Sequence, residues 1–163
     1  MIKVSKFRNL TFEKKKYKCS VGKYGLTRKK KEGDCKTPIG TFSIIKCLYR
    51  PDRIKKPDTN IPCEKIYKNS AWCDDTKSKY YNKMIKVPSK FQYEKLFRKD
   101  DCYNIILVLN YNMSPIIKGK GSAIFIHIAK KNYKPTRGCV AIKMQNLFEI
   151  LKKINKSSKV IIG

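Results

Sequence analysis

Residues 122–142 read SAIFIHIAKKNYKPTRGCVAI. The first part is a strand by its pattern. A period of two puts Ile124, Ile126 and Ile128 on one face and Phe125 and His127 on the other. It carries the only histidine of the chain. Twelve positions later (139 − 127) comes Cys139, set behind a proline, a threonine and a glycine on what reads as a tight polar loop.

The neighbouring segments extend this β reading. NIILVLNYN (104–112) is a continuous apolar run rich in β-branched residues and reads as a buried strand. Tyr17, Cys19 and Val21 alternate with polar residues, as on a half-buried strand. GTFSIIKCLYR (40–50) reads as a strand entered through a turn. After the cysteine, Leu147, Ile150, Leu151 and Ile154 follow helical spacing, and KVIIG (159–163) reads as a last strand. SKFQYEKLFRKDD (89–101) is expected to form a second short helix with Ser89 as its N-cap. Residues 51–88 hold prolines 51, 57, 62 and 88 and many polar residues, so an extended, lid-like insertion is expected. No composition shift divides the chain. The expectation is a single domain over 1–163, mostly β (α+β), with one helix after the cysteine loop.

The chain carries 39 Lys+Arg against 12 Asp+Glu, a formal charge of +27. Such a field attracts polyanions. The lysines are scattered, however, as on a solvated surface, and no recognised nucleic-acid motif accompanies them. No apolar run approaches the roughly 20 residues of a membrane span. The first residues show no apolar leader region. Seven cysteines (19, 35, 47, 63, 73, 102 and 139) include no CxxC and no cluster with zinc spacing, so neither a metal nor another cofactor is expected. The odd number leaves at least one thiol free. Cys19, Cys47 and Cys102 sit in or beside apolar runs and read as small buried hydrophobes.

Three constellations could carry chemistry. In the first, Gly138 permits unusual φ, and the N–H groups of Gly138 and Cys139 could face a developing oxyanion. Arg137 adds charge that favours thiolate, and the following helix could add its dipole. His127 offers a base, and a Cys–His pair is the minimal unit for acyl transfer through a thioester. A backbone carbonyl could orient the imidazole. The alternative is an interior histidine and an inert thiol. The second, KEGDCKTPIGTF (31–42), is punctuated by Gly33, Pro38 and Gly40, which could equally just shape a strand start. The third, AWCDDTKSKYYN (71–82), holds the one Trp. Trp72, Asp74, Asp75, Tyr81 and Asn82 could bind a polar ligand, or form a loop anchored by a buried ring.

Together these segments resemble the L,D-transpeptidase catalytic domain family of the YkuD type. The matching set is Thr37-Pro38-Ile39-Gly40-Thr41-Phe42, His127 and Thr136-Arg137-Gly138-Cys139-Val140. KKEGDCKTPIGTF, YRPDR, WCDDTKSKYYN and GKGSAIFIH resemble one branch of it. The resemblance implies a mostly β fold of sandwiched, curved sheets, peptidoglycan stem peptides as substrate and a cell-envelope or periplasmic location. It also implies that Cys139 is the nucleophile, His127 its base, Gly138 and Cys139 the oxyanion donors and Thr136 a loop-shaping residue. Two positions depart: Arg137 stands where most of the family has His, and Ala141 where many members have Arg or Asn. Water as acceptor would make the chain an L,D-carboxypeptidase or a peptidoglycan amide hydrolase. A reading from another class is a basic nucleic-acid-binding module in which Cys139 is incidental.

Overall fold

A computed structural model describes residues 1–163. Fourteen strands and one α-helix follow in the order β1 (Ile2–Val4), β2 (Asn9–Phe12), β3 (Lys15–Ser20), β4 (Leu26–Thr27), β5 (Thr37–Pro38), β6 (Gly40–Tyr49), β7 (Cys63–Lys65), β8 (Ser70–Cys73), β9 (Met84–Lys86), β10 (Tyr93–Lys95), β11 (Ile105–Leu109), β12 (Phe125–Ile128), β13 (Val140–Ile142), α1 (Met144–Leu151) and β14 (Lys159–Ile162). Nine strands form one curved sheet in the order β11-β12-β13-β3-β2-β1-β14-β6-β7. The long strand β6 pairs through its first residues with β14 and through its later residues with β11, so the sheet curls until it meets itself. Curling is the β-barrel answer to exposed strand edges.

The period of two seen in the sequence sorts the side chains into two cores. Ile105, Leu107, Leu109, Ile124, Ile126, Ile128, Val140 and Ile142 point into the larger one, inside the curl, with Leu147, Ile150, Leu151 and Ile154 from α1 and its C-terminal flank. Ile106, Val108, Phe125 and Cys139 point the other way, into a second core with Leu48, Trp72, Leu96 and Tyr103. Each fully buried aliphatic side chain here contributes about 2 kcal/mol of transfer free energy. His127 and Cys139 therefore share the face turned to the smaller core. That face carries the site.

Two expectations are corrected. Residues 51–88 are not an extended lid. They supply β7, β8 and β9, and β8 lies between β9 and β10 in a three-stranded sheet over the second core. Trp72, Cys73 and Tyr81 are buried and anchor this layer.

Residues 89–101 do not form a helix either. Tyr93–Lys95 pairs with β8, and a 3₁₀ turn follows at Asp101–Tyr103. Tertiary contacts override local propensity here. Arg50 donates to the Arg98 carbonyl at 2.7 Å, and Arg53 donates to the carbonyls of Lys99 (2.8 Å) and Asp100 (2.9 Å). Those carbonyls would lie in the last turn of such a helix and need no intrahelical partner, so what displaces the helix is the pairing of Tyr93, Glu94 and Lys95 with Cys73, Trp72 and Ala71 of β8. The Ser89 hydroxyl closes only a local turn, accepting from Phe91 N–H at 3.1 Å.

Candidate active site

Strands β12 and β13 run parallel, with Ile126 opposite Val140 and His127 opposite Ala141. Cys139 immediately precedes β13. One cavity of about 180 Å³ takes its lining from Cys139, His127, Tyr103, Glu94, Asp74 and Arg137, among others. The structure thus brings together the thiol and the imidazole proposed from sequence. It also brings Thr136, Arg137, Gly138 and Asp74 to the same cavity.

His127 is oriented by its own strand. Its Nδ1 lies 2.9 Å from the Ile128 carbonyl. A carbonyl can only accept, so Nδ1 carries the proton and Nε2 keeps its lone pair. Tyr103 packs against the imidazole edge to face, with centroids 5.1 Å apart and planes at 82°. The Tyr103 hydroxyl donates to Glu94 at 2.6 Å. Burial lowers the His127 pKa to about 4, more than the Ile128 carbonyl restores.

Cys139 differs from the expectation of an exposed loop thiol. It is 8% exposed and packs in the second core. Burial pushes its pKa up to about 12, and Glu94 raises it further, while the Phe125 N–H and Lys30 oppose the shift. Arg137 is not among the groups that lower it. That exposed guanidinium instead acts on Asp74 and Glu94. Nor does the helix reach the thiol, because β13 separates Cys139 from α1. At rest the pair is neutral thiol and neutral imidazole.

The loop before Cys139 is built by Thr136. Its hydroxyl donates to the Cys139 carbonyl at 2.6 Å and accepts the Gly138 N–H at 3.1 Å. One of the two expected oxyanion donors is therefore engaged, while the Cys139 N–H has no partner within the protein. Gly138 takes φ +141°, and a Cβ there would stand 3.0 Å from the Lys36 carbonyl oxygen. The 31–42 segment is tied to this loop. Thr37 Oγ1 accepts the Gly22 N–H at 2.8 Å, while Lys23 N–H donates to the Thr136 carbonyl at 2.9 Å.

The third constellation divides. Asp74 lines the cavity, and one of its carboxylate oxygens is buried without a partner. Burial first, and Glu32 second, raise its pKa. Asp75 instead accepts backbone N–H groups of Lys77 (2.9 Å) and Gln92 (3.3 Å) and shapes its own loop. Trp72, Tyr81 and Asn82 are 1–2% exposed and internally bonded. Trp72 Nε1 donates to Asn82 Oδ1 at 3.0 Å, and Tyr81 donates to Glu32 at 2.5 Å.

Among the cavity residues not foreseen are Glu94, Arg98, Tyr103 and Lys30. Glu94 lay hidden in the segment read as helical, and nothing in its local pattern distinguishes it. Arg98 belonged to the same segment. Tyr103 stands just before the 104–112 strand, where an aromatic residue reads as core. Lys30 looked like one lysine of many, yet it is 6% exposed and donates to Asp34 (2.5 Å) and the Lys31 carbonyl (2.7 Å).

The imidazole has a consequence for stability. Its folded pKa is depressed, so the unfolded chain binds the extra proton first as pH falls. Stability is fully present above about pH 6.5 and is lost toward pH 4. Urea unfolding of wild type beside His127→Gln should show the wild type losing about 3 kcal/mol more than the variant between pH 7 and 4. Parallel pH profiles would place His127 in contact with water.

No helix is long and apolar enough to cross a membrane. Comparison with curated proteins gives no match. The L,D-transpeptidase catalytic domain (YkuD) matches residues 2–162. A curled, mostly β fold with one helix agrees with that family, whose members are cysteine-dependent enzymes of peptidoglycan in the cell envelope. The chain belongs to the L,D-transpeptidase catalytic domain family.

Proposed function

We propose that this chain is a peptidoglycan L,D-transpeptidase working through an acyl-enzyme on Cys139. The observation that carries the reading is the shared cavity. A thiol and an imidazole face it from adjacent parallel segments, with Nδ1 of His127 committed to a carbonyl and Nε2 left as base.

The steps follow from the neutral resting pair. His127 Nε2 takes the thiol proton as Cys139 Sγ attacks the carbonyl of the third stem residue, a diamino acid. The partnerless Cys139 N–H is placed to receive the developing oxyanion. Collapse breaks the bond to the terminal D-alanine, and the imidazolium gives its proton to the leaving amine. An amine of a second stem then attacks the thioester. His127 removes the proton from that amine and returns it to sulfur, leaving a cross-link and free thiol.

The charges of the cavity suit such a substrate. Glu32, Asp74 and Glu94 stand with Lys30, Arg98 and Arg137 around it. A stem peptide presents both amine and carboxylate groups to such a lining. The basic surface favours approach to an anionic wall polymer.

Incubation with purified tetrapeptide muropeptides tests the acceptor. Transfer gives cross-linked dimers with one D-alanine released per link. Tripeptide monomers without dimers would make water the acceptor and the chain a carboxypeptidase. The unchanged substrate after long incubation would remove the proposal.

A further inference from the structure

The WCDD-to-YN segment has a role in the cavity although most of it never reaches the surface. Asn82 is 2% exposed, and its amide is fully used. Oδ1 accepts from Trp72 Nε1 (3.0 Å) and from Ala123 N–H (3.1 Å). Nδ2 donates to the carbonyls of Tyr111 (3.0 Å) and Asn112 (2.8 Å). That exhausts two donors and two acceptor sites, so Asn82 has nothing left for a substrate.

Its partner Ala123 is unusual. It has φ +51°, a left-handed conformation that an alanine rarely takes, in a segment that is buried throughout. Such backbone persists only where the surroundings hold it. Asn82 holds the N–H side. On the other side the Ala123 carbonyl accepts from Cys139 Sγ at 3.1 Å. Two residues on, the Phe125 N–H acts on the same sulfur and favours its thiolate. The sulfur therefore lies between a carbonyl that suits S–H and an amide that suits S⁻.

We propose that Asn82 is a positioning residue for the nucleophile: through Ala123 it aims a carbonyl at Cys139 and holds the S–H there at rest. The thiol proton leaves this carbonyl for His127 when substrate arrives. This rests on the reading of Cys139 as nucleophile. It assigns Asn82 and Trp72 to the protein side of the site, not to substrate contact.

Asn82→Gly tests it, because glycine accepts the φ of +57° at this position without strain. Loss of the anchor frees the carbonyl and eases thiol ionisation. Alkylation of Cys139 by iodoacetamide at pH 8 should rise about tenfold, while D-alanine release from tetrapeptide stems falls about tenfold. A purely structural role would not drive the two rates in opposite directions. Asn82→Asp keeps the Oδ acceptor and should alkylate no faster than wild type. Peptide mapping should confine the rise to Cys139. A rise shared by buried Cys73 and Cys102 would mean general loosening and overturn the proposal. So would Asn82→Gly that melts like wild type and alkylates at the wild-type rate. Should Asn82→Gly fail to fold, the Ala123 carbonyl ¹³C shift decides between wild type and Cys139→Ala. A changed shift supports the S–H contact, and an identical one overturns it. Alkylation needs no peptidoglycan, so failure here differs from failure of the enzyme reading, which would appear as tetrapeptide stems left unchanged by the wild type.

Discussion

Cys139→Ser should lose D-alanine release from tetrapeptide stems by at least about 10³-fold while keeping its fold. The sulfur adjoins a partnerless backbone N–H in the cavity that His127 also lines. A serine hydroxyl fits the same space but holds its proton far more tightly, and the buried site already disfavours the charged form. Cys19, Cys47 and Cys73 are buried and do not line the cavity. Cys102 also lines the cavity, but its own N–H donates to the Asp100 carboxylate at 3.3 Å and is not free for an oxyanion. It is therefore the informative control: Cys102→Ser should leave turnover within about twofold of wild type, as conservative buried replacements outside the reacting atoms do. Product analysis by mass spectrometry reads both variants. Undiminished turnover in Cys139→Ser would move the chemistry elsewhere.

His127→Ala should slow acylation by roughly 100-fold or more, the usual scale for loss of a general base. The resting thiol is neutral, so the base must take the proton during the attack. The acid limb of the acylation profile should fall near pH 4, not near the 6.5 of a free imidazole, because His127 is protonated only below its depressed pKa. Stopped-flow acylation across pH, with thermal melting as the control, measures both. A variant that melts normally and acylates at the wild-type rate would leave His127 as part of the core.

Much of this site was readable from the chain because its parts lie on regular elements. Strand β12 shows its period of two, so the sequence already separates the isoleucine face from the face of Phe125 and His127. The helix after the cysteine carries its own spacing. Gly138 announced a backbone that only glycine takes easily. What escaped reading depends on contacts between segments far apart in sequence. SKFQYEKLFRKDD has reasonable helical spacing, but the backbone of Tyr93–Lys95 pairs with β8, a strand far upstream in sequence, and Arg50 and Arg53 hold the carbonyls that follow. Once that segment becomes β10 and a 3₁₀ turn, Tyr103 packs against the imidazole and its hydroxyl donates to Glu94. Local propensity contains none of this information.

The effect of Arg137 was misread for a related reason. Sequence adjacency to Cys139 suggested a direct influence on the thiol. In the fold the side chain is exposed and its charge is felt by Asp74 and Glu94, while burial dominates the sulfur. The burial of Cys139 itself was not visible either. It depends on the layer built by β8 and β9, which proline-rich composition had disguised as a lid, and by β10, which lay in the segment expected to be helical. Trp72 and Asn82 were singled out as ligand contacts because they are polar-tipped and lie near two carboxylates. Their hydrogen bonds are satisfied within the protein.

The most direct test of the account is the position of the covalent intermediate. The protein is treated with a carbapenem-type acylating agent, quenched in acid and measured by intact mass, then digested and mapped. The account predicts one adduct per chain, on the peptide carrying Gly138 and Cys139, and none in Cys139→Ser. An adduct of equal yield in Cys139→Ser, or one mapped to another cysteine, would contradict it.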